Sequence, residues 1–134
     1  MRKTWIALTL AGLTAGALGA PGTTASAAPQ ECVTTTISPG DGTYGTIGIK
    51  SSSSTCHGLS LTHAYNPGRL RDNEYAGMYQ TSSGWKFGSA GYFLVRNGSY
   101  PVGQYVLVPE LEAGTPFSVA SGDDDGVPTV EITH

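Results

Sequence analysis

Across 134 residues the chain carries seven Lys and Arg against ten Asp and Glu, a formal charge of −3, and only 13% of it is charged. No basic cluster exists to neutralise phosphates, so nucleic acid and anionic membrane are poor partners. Sparse Lys and Glu with plentiful Gly, Ser, Thr and Tyr suit an extracellular β-protein.

Met1-Arg2-Lys3 is a short basic segment, Trp5 to Ala20 is apolar, and Ala25-Ser26-Ala27 supplies the small residues that a signal peptidase reads. That order predicts a secretory signal peptide over 1–27 and a single secreted domain over 28–134. The apolar run is too short and too rich in Gly and Thr to span a bilayer, which takes about 20 predominantly apolar residues. Pro29-Gln30-Glu31 before Cys32 is not the small-residue box of a lipoprotein. The leader's Ala, Gly and Thr content resembles that of proteins secreted by actinobacteria. Beyond it remain five Lys and Arg against ten Asp and Glu, a formal charge of −5. The two cysteines of an exported chain predict one disulfide, Cys32–Cys56.

Glu31 to Ile37 is rich in β-branched residues and reads as a strand. Ser38-Pro39-Gly40-Asp41-Gly42 is a turn, and Tyr44 to Lys50 alternates with Ile47 and Ile49 on one face. Ser51 to Thr55 is a polar connector. It leads into Cys56 to Tyr65, the stretch around which the other elements are expected to assemble, with Leu59, Leu61 and Tyr65 on one face. A polar irregular stretch containing Arg69 and Arg71 follows. Next come Tyr75 to Thr81, a turn at Ser82-Ser83-Gly84, and Trp85-Lys86-Phe87. Gly91 to Arg96 is almost continuously apolar and reads as a central strand, closed by an Asn97-Gly98 turn. Val102 to Val108, Phe117 to Ala120 and Val127 to Thr133 complete the set. Apolar residues never recur at helical spacing over three turns. Eight or nine short strands with frequent turns predict an all-β fold, a small immunoglobulin-like or Greek-key β-sandwich with one disulfide, or alternatively a small barrel.

The chemistry-bearing residues point away from catalysis. His57 and His63 share a face of one strand but would lie about 20 Å apart, too far to share a metal. His134, the last residue, is expected to be poorly ordered. Asp123-Asp124-Asp125-Gly126 lacks the alternate ligand spacing of a calcium loop and reads as a solvated acidic turn. Glu110 and Glu112 would stand about 6–7 Å apart on an extended segment, near the spacing of inverting glycosidases, with no pocket signal beside them. No serine sits in a nucleophile elbow. No metal, no cofactor and no enzymatic activity is expected.

Aromatic residues concentrate between Tyr75 and Tyr105. Phe93 with Val95, and Trp85, are expected in the core. Exposed Tyr and Trp are what protein interfaces and sugar platforms use, because they offer large rigid area at low entropy cost. Tyr75, Tyr79, Trp85, Lys86 and Phe87 are the candidate binding residues. Ser83-Gly84-Trp85-Lys86-Phe87 resembles the turn-borne Trp-Arg-Tyr with which small actinobacterial α-amylase inhibitors of the tendamistat type enter their enzyme. The resemblance covers three residues with two conservative replacements, and this chain has one cysteine pair where that family has two. It implies that Trp85, Lys86 and Phe87 would be presented to a hydrolase. The expectation is a secreted, non-catalytic binding domain whose partner is an extracellular protein, including a hydrolase to be inhibited, or a polysaccharide.

Overall fold

The computed structural model describes residues 31–68, 72–122 and 127–134. The leader expected over 1–27, Arg69, Arg71 and the loop Asp123-Asp124-Asp125 lie outside them. The described residues form strands and no helix: β1 (Thr34–Ile37), β2 (Gly40–Asp41), β3 (Gly48–Ile49), β4 (Leu59–Tyr65), β5 (Asp72–Thr81), β6 (Gly84–Arg96), β7 (Gly98–Ser99), β8 (Val106–Val108), β9 (Pro116–Ser121) and β10 (Thr129–Thr133).

They build two five-stranded sheets that do not close into a barrel. In the first the order is β1-β10-β4, with β7 and β8 both pairing along the free side of β4. In the second it is β2-β9-β5-β6, with β3 beside β2 on the same edge of β9. The first sheet sends Ile37, Leu59, Leu61, Ala64, Leu107, Val130 and Ile132 into the core; the second sends Tyr75, Val95, Phe117 and Val119. The fold is an all-β sandwich. Cys32 and Cys56 form the expected disulfide across 24 positions, with their Cα atoms 5.6 Å apart.

β4 lies inside its sheet, between β10 on one side and β7 and β8 on the other, but the phase of its alternation changes midway. Ile132 pairs with Leu61 and Glu131 with His63, so Thr62 is an extra residue and the strand turns over. Ala64 is therefore buried opposite Val130, while Tyr65 faces solvent. Around β3 the period of two holds with the opposite sense: Ile47 and Ile49 point outward, and Gly48 and Lys50 point in. The ring of Phe117 occupies the space over Gly48, where a Cβ would stand 2.6 Å from Phe117 Cζ. The Lys50 ammonium is satisfied by donating to the carbonyls of Ser51 at 2.9 Å and Cys56 at 2.8 Å. Burial holds its pKa below the usual lysine value.

The run Gly91 to Arg96 is not central. It is the second half of the 13-residue β6, which among the described residues pairs only with β5 and lies at the edge of its sheet. β6 also contains a large bulge, since Phe87 pairs with Met78 and Tyr92 with Ala76, leaving residues 88–91 opposite Gly77 alone. The bulge makes room for β8. A Cβ on Gly77 would meet Leu107 Cβ at 2.8 Å, and one on Gly88 would meet the Leu107 carbonyl at 2.7 Å. Gly91 supplies a φ of 71°, which L-residues adopt with strain. Val102 is exposed in a turn rather than aligned with Val106 and Val108. Asn97 does not close a hairpin, because β6 and β7 belong to different sheets. Its side chain instead accepts from Asn66 N at 2.7 Å and donates to Asn66 O at 3.0 Å.

His134 is ordered and buried rather than frayed. Its Nδ1 accepts the Ser51 backbone N–H at 2.9 Å, which leaves Nε2 to donate to Thr35 Oγ1 at 2.8 Å. The ring packs edge-on against Phe117. Burial, reinforced by the Lys50 charge, holds the imidazole below its ordinary pKa. In the unfolded chain the ring takes up a proton near pH 6.5, whereas in the folded chain it resists until a lower pH. The contribution is therefore present above about pH 6.5 and is lost as pH falls below it. Urea midpoints measured from pH 7.5 down to 5 are expected to decline more steeply for the native chain than for His134→Gln. Equal slopes would show that the buried ring is not the group responsible.

Candidate functional site

The aromatic block divides between the two faces of the second sheet. Tyr75 is completely buried between the sheets, so it cannot be a surface binding residue. Tyr79 lies on the same inward side of β5, half-buried against the core with Phe93, Tyr100 and Tyr105. The two tyrosines do share a face, and that face is the interior. Lys86, opposite Tyr79, is exposed at the hairpin end.

Trp85 and Phe87 point the other way. Trp85 is opposite Gln80 and Phe87 is opposite Met78, both on the outer face. Trp85 is not in the core: its ring stacks on Tyr44 with centroids 4.5 Å apart and planes 14° apart. The loop bearing Tyr44 is pinned across this face by Ser118, whose Oγ accepts from Gly45 N at 2.9 Å and donates to Thr46 O at 2.6 Å. Phe87 lies beside Tyr92 at 5.9 Å and 47°. Leu94 follows two residues later on the same face, 62% exposed, with Phe87 at 45% and Tyr92 at 40%. Trp85, Phe87, Tyr92 and Leu94 thus form an open strip along β6, with Tyr44 buttressing one end. The apex of the β5–β6 hairpin is Ser82-Ser83, both exposed, so the Trp85 ring lies beside the tip rather than at its summit.

Tyr44, Tyr92 and Leu94 are missing from the candidates that sequence supplies. Nothing in spacing links Tyr44 to Trp85, 41 positions away. Tyr92 and Leu94 sit inside an apolar run whose face could not be assigned without its partners; once β6 is known to be an edge strand, the alternation of Tyr92 and Leu94 with Phe93 and Val95 becomes readable.

A polar groove lies beside the loop of Glu110, whose side chain also lines the hollow next to Tyr79 and Phe87. This groove of about 380 Å³ brings His57 together with Glu110 and Glu112, above Lys50 and the serine connector. The Leu111 N–H donates to the His57 carbonyl at 2.8 Å, which draws the loop of Glu110 and Glu112 against the connector. Sequence alone offered no pocket there. Its polar groups are largely occupied in shaping the loop. His57 Nε2 lies 3.0 Å from the Ser54 carbonyl, so that nitrogen carries the proton and donates. Ser51 Oγ donates to the His134 carbonyl at 2.8 Å, and Ser53 Oγ accepts the amides of Thr55 at 3.1 Å and Cys56 at 2.9 Å. His63 is remote from this groove, on β4, where Nδ1 pairs with Ser99 Oγ at 2.9 Å. No cluster of three metal-ligating side chains occurs among the described residues.

The molecule is an all-β sandwich with one disulfide and two surface features, an aromatic strip and a polar groove. No family model, curated protein or solved structure matches the chain.

Proposed function

We propose that this chain is an exported, non-catalytic binding module that holds a partner protein against the outer face of β6. The observation that supports this reading is the strip itself: Trp85, Phe87, Tyr92 and Leu94 lie along one strand face, with Trp85 fixed by the Tyr44 stack. Rigid aromatic area is what interfaces use, since little side-chain entropy is lost when a partner covers it. The disulfide and a composition poor in Lys and Glu support export. A hydrolase to be inhibited is one partner of this kind. A protein fits better than a polysaccharide for two reasons. Phe87 and Tyr92 are tilted by 47°, not coplanar as a sugar platform requires, and Leu94 offers bulk without a ring. The groove at His57 favours a second, catalytic reading, in which His57 would work with Glu110 or Glu112. The structural duties of its serines weigh against it.

The test immobilises the oxidised chain and presents secreted proteins and insoluble glycans to it. Capture of one protein that is lost in Phe87→Ala and Leu94→Ser, yet kept in Tyr65→Ala on the opposite sheet, is the expected result. Retention on a glycan would replace the protein reading with a stacking platform. Capture indifferent to Phe87 and Leu94 would remove the strip from the site.

A further inference from the structure

The strip is not chemically uniform, and its Tyr92 end differs from the rest. Register places Tyr92 opposite Ala76, and Ala76 opposite Ala120, all on the outer face. Two small side chains therefore lie where a ring can rest across the sheet. The Tyr92 ring does extend that way: a Cβ on Gly122, just past β9, would stand 3.4 Å from Tyr92 Cε1. The same point is 3.1 Å from Glu74 Oε1. A bare glycine thus separates the edge of an exposed ring from an exposed carboxylate. Asp41, at the end of β2, adds a second negative charge to this end. The Tyr92 phenol is held above its ordinary pKa by burial, then by the charges of Glu74 and Asp41. Arg96 lies on this face too, but register sets it opposite Asp72. On the other side Phe87, 5.9 Å away and inclined at 47°, makes a V-shaped corner with Tyr92.

We infer that the Glu74 side of the Tyr92 ring receives a cation, the guanidinium or ammonium group of an Arg or Lys side chain on the partner protein, seated on that ring, which Phe87 backs from the other side, and paired with Glu74 and Asp41. The inference rests on the binding reading and deepens it by naming the partner's chemistry. An aromatic ring attracts a cation through its quadrupole, and the attraction is stronger where carboxylates share the load. A formal charge of −5 over residues 28–134 steers a basic surface toward the face before contact.

The probe is a pentapeptide, acetyl-Gly-Arg-Gly-Arg-Gly-amide, titrated at low salt into the isotopically labelled, oxidised chain and followed by amide chemical shifts. Its control is the same peptide with citrulline, which keeps the shape of arginine without the charge. The arginine peptide is expected to shift Glu74, Phe87, Tyr92 and Gly122, and the citrulline peptide to leave them in place. Tyr92→Leu and Glu74→Gln are each expected to weaken binding by about three- to fivefold, while Tyr92→Phe, which keeps the ring, stays near native. Both positions are exposed on the outer face, so the fold is expected to survive. Equal shifts from the citrulline peptide, shifts confined to other surfaces, or binding unaffected by Glu74→Gln would each overturn the cation site. Failure here with capture of a protein still dependent on Phe87 and Leu94 would leave the binding reading standing. Binding of the arginine peptide without any captured protein would do the reverse.

Discussion

Tyr75→Ala is expected to cost about 3–5 kcal/mol of stability, whereas Tyr75→Phe is expected to cost nothing or to stabilise slightly. The ring is fully buried on β5, flanked by Phe93 of β6 and Ser121 of β9, so its removal leaves a cavity bounded by both sheets. Its hydroxyl makes no well-formed hydrogen bond among the described residues. Burial pushes the phenol pKa up to about 12, and Asn73, whose side chain already serves Ser121 and the Glu74 amide, opposes this only weakly. An apolar ring of the same shape removes a desolvated polar atom, so the phenylalanine variant lacks that penalty. Urea unfolding of the two variants beside Phe87→Ala separates interior from surface. The exposed Phe87 is expected to change stability by about 0.5 kcal/mol or less. A Tyr75→Phe loss above about 1 kcal/mol would mean that the hydroxyl is bonded after all.

Reduction of the Cys32–Cys56 disulfide, or its replacement by serines, is expected to cost about 3.5 kcal/mol, the chain-entropy value for a loop closed across 24 positions. For a domain of this size that is a drop in melting temperature on the order of 14–28 °C. Most of a 5–15 kcal/mol net stability is at stake if the native value lies near the lower bound. The bond joins the segment entering β1 to the segment entering β4, and the Ser53 hydroxyl rests 3.7 Å from Cys32 Sγ. Structural loosening is therefore expected first in the connector beneath His57. The aromatic strip stands on β6, which neither cysteine adjoins in sequence, so at 25 °C the proposed binding there is expected to persist as long as the chain stays folded. Thermal melts with and without reductant measure the first effect. A shift of only a few degrees would show that the unfolded chain is already compact.

Fold class was legible because it depends on local signals: β-branched runs, alternation and closely spaced turns. The disulfide was legible because a chain with two cysteines leaves one pairing. Legibility ended where a partner strand decides the sense of a pattern. The alternation at Ile47 and Ile49 is real, yet Phe117, far along the chain, fills the inward space over Gly48 and turns the isoleucines out. Lys50 goes inside because two carbonyls wait there, a fact no local rule contains. Tyr75 and Tyr79 were correctly placed on one face, but which face was inward depended on β9 and on the other sheet. The Tyr44–Trp85 stack depends on Ser118 holding a loop across the sheet. Likewise, the approach of Glu74 to Tyr92 passes through Gly122, so that corner of the site is assembled from three separate strands and a loop.

The bulge at residues 88–91 has a consequence for how these molecules behave in a crowd. β6 ends its sheet, and an uninterrupted 13-residue edge with Phe87, Tyr92 and Leu94 exposed would invite another chain to add as a neighbouring strand. Residues 88–91, three more than Gly77 needs opposite it, break that row of amides and carbonyls into two short pieces that cannot be matched by one straight strand. The chain can thus keep an aromatic surface exposed while denying its own copies the continuous backbone template from which fibrils grow.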